Sequence, residues 1–168
     1  MLIYHPAFDI YNCVFRILQL LTKMDTDEIE IDRLRIWDFY LTFPNEAKRI
    51  SFPRELNDLK RIFKDKPNPY EDVIGSNRVF ERMKSYQLSA LRCLASYGLI
   101  DTKLLAKNII KRTAKPIPDK LLEQMHNQSI KKENIIKLVT SPFNDLPLYG
   151  EKGFKYRTKL IEFKYDPV

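Results

Sequence analysis

Two histidines, His5 and His126, are the side chains best suited to metal binding or proton transfer, and they stand far apart in the chain. Neither belongs to a CxxC, HxxxH or HExxH spacing, so no zinc site can be written from the sequence. His5, directly before Pro6, suits a hydrogen bond at a helix start better than a metal. A nucleophilic cysteine would need an activating base. Cys13 instead falls mid-helix among Ile10, Val14 and Ile17, the setting of a core thiol. The four glycines, Gly75, Gly98, Gly150 and Gly153, spell neither a P-loop nor a dinucleotide fingerprint. Gly150 and Gly153 have the GxxG spacing of a KH loop, but without its flanking helices they read as a tight turn into a final strand. Asp25, Asp27, Glu28 and Glu30 cluster without a basic or histidine partner, which describes a solvated acidic turn. No ordered set of carboxylates and lysine suggests nuclease chemistry. The expectation is a chain with no active site, no metal and no cofactor.

What chemistry remains is basic. Lys152, Lys155, Arg157, Lys159 and Lys164 are interleaved with Phe154, Tyr156, Phe163 and Tyr165 near the end of the chain. On one face of a strand, Lys155, Arg157 and Lys159 could meet two or three phosphates along a nucleic-acid backbone. Arg157 could equally hold a carboxylate across a protein interface, because its planar fork suits bidentate pairing. An ordinary half-buried strand with its lysines in water would have the same composition. Lys131 and Lys132, with Asn134 and Lys137, give a second basic segment. The net charge is +7, and it is one-sided. Residues 1–84 hold 14 Lys/Arg and 14 Asp/Glu, whereas residues 85–168 hold 15 and 8. Such an excess favours an anionic partner, either nucleic acid or an acidic protein face.

These side chains must be carried by one domain's worth of structure. The chain has 168 residues, 44% hydrophobic and 30% charged, enough apolar material for a single core spanning 1–168. A neutral helical half (about 1–100) precedes a basic half (about 101–168) that ends in a strand. No run approaches the roughly 18 apolar residues of a membrane span, and Leu2 to His5 lacks the basic start of a signal peptide. Cys13 and Cys93 both sit in apolar helical patterns, which suits free thiols in a reducing cytoplasm.

Periodicity predicts a first helix from Pro6 at N1 to about Met24, after an extended Leu2 to Tyr4. Asp25 to Glu30 reads as a connector. Ile31 to Pro44 follows as a helix apolar almost all round, with Asp32 as its cap and Arg35 and Asp38 able to pair. Trp37, Phe39 and Tyr40 are its candidate core residues. Arg54 to Lys64 has helical spacing, and residues 65–75 form an ordered loop. Ser76 caps the clearest helix, whose inward positions include Leu94, and Gly98 with Leu99 ends it. Winged helix-turn-helix proteins share that exit, as do many unrelated helices. Leu104 to Lys111 reads as strand or helix. Pro118 to Met125 and Ile130 to Val139 are helical, and the apolar phase flips between Leu160 and Ile161 as at a bulge. The fold class is mostly α with a small β-sheet.

Three segments, LIYHPAFDIYNCVFRILQLL, IDRLRIWDFYLTFP and GEKGFKYRTKLIEFKYD, together resemble the middle component, type five, of bacterial ABC-three-component systems. Arg16, Asp32, Arg33, Asp38, Pro44, Gly153, Arg157, Glu162 and Asp166 have the spacing that supports the resemblance. It implies a winged-helix-like adaptor joining an SMC- or Rad50-like ABC ATPase to an effector, often a nuclease, in Lamassu-type defence against phage or plasmids. It also implies that the basic half touches either DNA held by the ATPase or acidic surfaces of a partner. The alternative is a stand-alone winged-helix DNA-binding regulator.

Overall fold

A computed structural model describes residues 4–64, 72–125 and 130–161. Asp9, not Pro6, starts the first helix. Its carboxylate accepts from the backbone N–H groups of Tyr11 and Asn12 at 2.6 and 3.2 Å, so α1 runs Ile10–Lys23. Pro6 opens a separate 3-10 turn, Pro6–Phe8, in which His5 Nδ1 accepts from Ala7 N at 3.1 Å. The buried stripe of α1 is Cys13, Ile17, Leu20 and Leu21, with Arg16 among them. Leu2 lies outside the described residues.

The acidic connector holds a strand, β1, Glu28–Glu30, which pairs antiparallel with β2, Ile109–Lys111. Three residues are too short to show a period, and here tertiary pairing decides the conformation. Ile29 faces Ile110 in the core, and Lys111 Nζ reaches Glu28 Oε1 at 3.2 Å outside it. The ambiguous stretch before β2 contains both structures: a helical turn, α5, Thr102–Leu105, then β2, with Asn108 between them at φ 61°. Residues 99–101 bond back onto 111–113, through Asp101 N to Lys111 O at 2.9 Å and Thr113 N to Leu99 O at 3.1 Å.

Helix α2, Ile31–Thr42, follows β1 without a break and is buried on nearly every side, with Trp37 and Phe39 at 0% exposure. Glu30 occupies its N-cap position, so Asp32 is not the cap. Pro44 ends the helix and begins a 3-10 segment, Pro44–Arg49. The helical spacing of 54–64 resolves into short pieces: two 3-10 turns, Arg54–Leu56 and Arg61–Phe63, around α3, Asn57–Lys60. Residues 65–71 lie outside the described residues.

Helix α4, Ser76–Ser96, begins after Gly75, and Ser76 is its first helical residue rather than its cap; the hydroxyl donates to Glu46 Oε2 at 3.0 Å. Its C-terminus closes on Gly98 at φ +74°, where Gly98 N bonds Ala95 O and Leu99 N bonds Leu94 O at 3.0 Å. Met83 and Leu94 are buried along it. Two further helices, α6, Asp119–Met125, and α7, Ile130–Thr140, lead to a loop. No helix among the described residues is long and apolar enough to cross a membrane.

The final segment departs most from expectation. Where alternation predicts a strand, Phe154–Thr158 is a short helix, α8. Gly153 permits it: a Cβ there would sit 2.3 Å from Tyr149 O, so only glycine allows the chain to fold back so tightly. Phe154 then enters an aromatic nest, 5.5 Å from Phe143, which in turn stands 5.0 Å from Phe52. The expected bulge is instead the end of this helix, with Lys159 left-handed at φ 57° and Leu160 turned inward. Trp37→Ala should cost on the order of 3–5 kcal/mol in chemical denaturation, as large core truncations do. Gly153→Ala should cost about 1–3 kcal/mol in the same measurement, because backbone must move to admit one methyl.

Candidate functional site

Helix α8 rearranges the basic tail. Lys155 does not face water; it is 6% exposed, and its Nζ sits 3.0 Å from Asp32 Oδ2 and 4.8 Å from the Tyr149 ring centroid. Arg157 ties the turn together, donating from Nε to Lys152 O at 2.8 Å and from Nη1 to Ser51 O at 3.0 Å. Lys152 and Lys159 are exposed. Lys155, Arg157 and Lys159 therefore do not form one outward row, because a helical turn sends alternate residues in different directions. Lys164 lies outside the described residues, as does the side chain of Lys131. Lys132 is exposed in the first turn of α7, beside an open groove rather than α8.

A chain of charged and polar groups runs through the interior instead. Asp38 of α2 is 0% exposed and accepts from Arg16 Nε at 2.6 Å, Arg16 Nη2 at 3.3 Å and Gln87 Nε2 at 2.9 Å. Arg35, expected to pair with Asp38, pairs with Asp32 at 3.1 Å and donates to Gln87 Oε1 at 3.1 Å. Its Nη2 comes only within 3.9 Å of Glu81, an ion pair too long for a hydrogen bond. Asp32 then passes the chain to Lys155 of α8. Arg33, on another side of α2, pairs with Glu30 at 2.7 Å and donates to the carbonyls of Phe143 and Leu146 at 3.2 and 2.9 Å. It thereby fixes the loop before α8.

The electrostatics suit holding rather than reacting. Burial, and then the Asp38 carboxylate, push the Cys13 thiol far above its ordinary value, so it stays protonated and points its S–H at Asp38 Oδ2 across 3.8 Å. Burial alone would lower the Arg16 guanidinium; Asp38 reverses this and holds it above its ordinary value. Burial, with Glu46 nearby, likewise raises the Tyr40 phenol. Among the described residues no group of three His, Cys, Asp or Glu side chains converges as a metal site would. Sequence reasoning missed Gln87, Glu46 and the double carbonyl capture by Arg33. Only Glu46 carried a local sign: it lies three residues before Arg49, with which it pairs at 3.3 Å.

A groove of about 860 Å³ lies between α1, the end of α2, the segment before α4 and the facing parts of α6 and α7, and a second of about 720 Å³ lies between the end of α1 and α7. Phe8, Phe15, Phe43 and Ile74 line the larger one, with Arg16 and Lys132 as its cations. Ile74 is 96% exposed and Tyr11, 6.2 Å from the Phe15 ring, is 78% exposed.

The sequence profile of the family described as ABC-three component (ABC-3C) system Middle Component 5 matches residues 2–166. The chain belongs to that family. No curated protein and no solved structure matches it. As a Middle Component 5 the chain is one part of a multi-component system, and the residues that carried the resemblance have plain structural tasks. Arg16 and Asp38 lock α1 to α2, Asp32 and Arg33 dock α8 and its loop, Pro44 ends α2, Gly153 makes the turn and Arg157 pins it. Glu162 and Asp166 lie outside the described residues.

Asp38→Ala should cost on the order of 3–5 kcal/mol in urea unfolding, because it leaves the Arg16 charge buried with only Pro6 O at 2.8 Å as acceptor. Replacing the pair together, as Arg16→Met with Asp38→Leu, should recover most of that loss.

Proposed function

We propose that this chain is a non-enzymatic adaptor, joining an SMC- or Rad50-like ABC ATPase to an effector such as a nuclease in a bacterial, cytoplasmic defence complex of the Lamassu kind. The observation that carries the reading is the Middle Component 5 match over nearly the whole chain. Two features support it. The ionisable groups with the strongest partners are consumed in holding helices together. The groove beside Ile74 and Tyr11 leaves apolar and aromatic surface in water, the kind of surface a partner covers.

One observation favours the regulator as a second reading. Setting aside the short α3 and α5, the order α1, β1, α2, α4 and then residues 99–101 pairing with 111–113, with β2 beside β1, resembles the order of elements in a winged helix. A regulator would be a lone chain with strongly salt-dependent affinity for free duplex.

Tagged chain purified with the proteins encoded beside it separates the two. The expected result is a stoichiometric complex containing a large ATPase, seen by size exclusion and mass, with its yield reduced by Ile74→Ser combined with Tyr11→Ser. A lone monomer under conditions where the neighbouring proteins are present and folded would overturn the adaptor.

A further inference from the structure

The +7 charge is more localised than a basic half. Residues 76–115, from the start of α4 through the hairpin, hold nine Lys/Arg and two Asp/Glu, which is the entire excess; the rest of the chain holds 20 of each sign. Helix α4 has 21 residues, about 30 Å at 1.5 Å per residue. Its inner side is Phe80, Met83, Gln87, Ala90, Leu91 and Leu94. Every exposed position on the helix is polar: Arg78, Arg82, Lys84 and Arg92, with Glu81 and small Asn or Ser residues between.

Glu81 remains exposed on the outer face of α4, and Lys111 of the hairpin is paired with Glu28 of β1 at 3.2 Å. Glu81 leans toward Arg35 at 3.9 Å, and Asp101 accepts from Leu104 N at 2.9 Å to cap α5. The hairpin is fastened to the end of α4, where Lys115 Nζ donates to Tyr97 O at 2.6 Å and Thr113 Oγ1 donates to Gly98 O. The end of α4 and the hairpin are therefore fastened together, and Lys103, Lys107 and Lys115 add exposed charge to that of Arg78, Arg82, Lys84 and Arg92 on the helix.

We infer that the outer face of α4 and the hairpin 99–115 form a binding surface for the backbone of duplex DNA. A duplex carries one negative charge per about 1.7 Å of axis, and its major groove, about 12 Å wide, admits a helix. An interface with a protein would call for aromatic residues and few charges at its centre, whereas the exposed face of α4 has cations separated by small polar residues. The surface excludes the tail, whose Lys155 and Arg157 are already engaged by Asp32 and by two backbone carbonyls. It goes beyond the adaptor reading and gives a location to the duplex affinity that the regulator reading requires, and since DNA affinity and complex formation are read by different measurements it fails separately from the adaptor.

The test is fluorescence anisotropy of a short labelled duplex of mixed sequence, titrated with the full chain at several salt concentrations. Lys84→Glu with Arg92→Glu, and separately Lys103→Glu with Lys107→Glu, should each weaken binding by about tenfold or more, and flatten the log–log salt slope by about 0.9 for each phosphate left without its cation. Lys152→Glu with Lys159→Glu should leave both quantities unchanged. Thermal melting checks that each variant is folded, and Lys84→Gln with Arg92→Gln should give the same direction with a smaller step if charge reversal disturbs the helix. No salt-dependent duplex binding by the parent chain would overturn the inference. So would undiminished affinity in the surface variants, or an equal weakening in the tail variant. Failure of complex formation with intact duplex affinity would make this a protein-docking face, and would overturn it too.

Discussion

The carboxylate of Asp38 lies where α1, α2 and α4 cross, and its donors come from Arg16 on one neighbour and Gln87 on the other. A fully buried carboxylate without such donors would cost several kcal/mol, so only packings that deliver both remain low in energy. Apolar surface alone would not choose among them, because α2 is apolar on nearly all sides and could rotate or slide while burying a similar area. The polar contact sets the register, and the hydrophobic contacts then supply most of the stabilisation. Gln87 strengthens the arrangement by bonding the Arg35 backbone carbonyl as well, at 3.2 Å.

The same logic extends outward from α2. Asp32 and Arg33, adjacent in sequence, send interactions to α8 and to the loop before it, so the end of the chain is placed by the start of one helix. Aromatic packing completes the attachment, with Phe154 seated against Phe143. The polar residues of α2 thus determine the positions of segments far away in sequence, while the outer faces of α1 and α4 stay available to partners.

Local elements were readable from the sequence where a cap or a period is contained within a few residues. Helix α4, with Gly98 and Leu99 closing it, is an example, and so is Pro44 ending α2. Partners in space were not readable. Arg35 and Asp38 have the spacing of a helical pair, yet Asp38 takes Arg16 from 22 residues away while Arg35 turns to Asp32 and Gln87. The tail alternates like a strand, but alternation is a weak rule when one residue, Gly153, permits a turn and one aromatic nest captures the next side chain. Charge was readable as an amount and only coarsely as a location. Dividing the chain at residue 84 cut through α4 and hid the fact that the excess belongs to α4 and its hairpin, while in the tail Lys155 is buried against Asp32 and Lys152 and Lys159 stay exposed.

The pairing of β1 with β2 joins residues 83 positions apart, which has a consequence for how the protein is made. A ribosome adding about 5–20 residues per second leaves β1 and the apolar α2 waiting on the order of 4–16 s for β2 to be synthesised. Gln87 is also downstream, so Asp38 cannot complete its set of donors in that interval. The nascent chain therefore carries α2 with α1 as a neighbour but without α4 or β2 while residues 43 to 111 are added, and closure of that long loop comes late. Placing the partners of β1 and Asp38 this late in the chain makes synthesis the period in which the apolar surface of α2 is least covered.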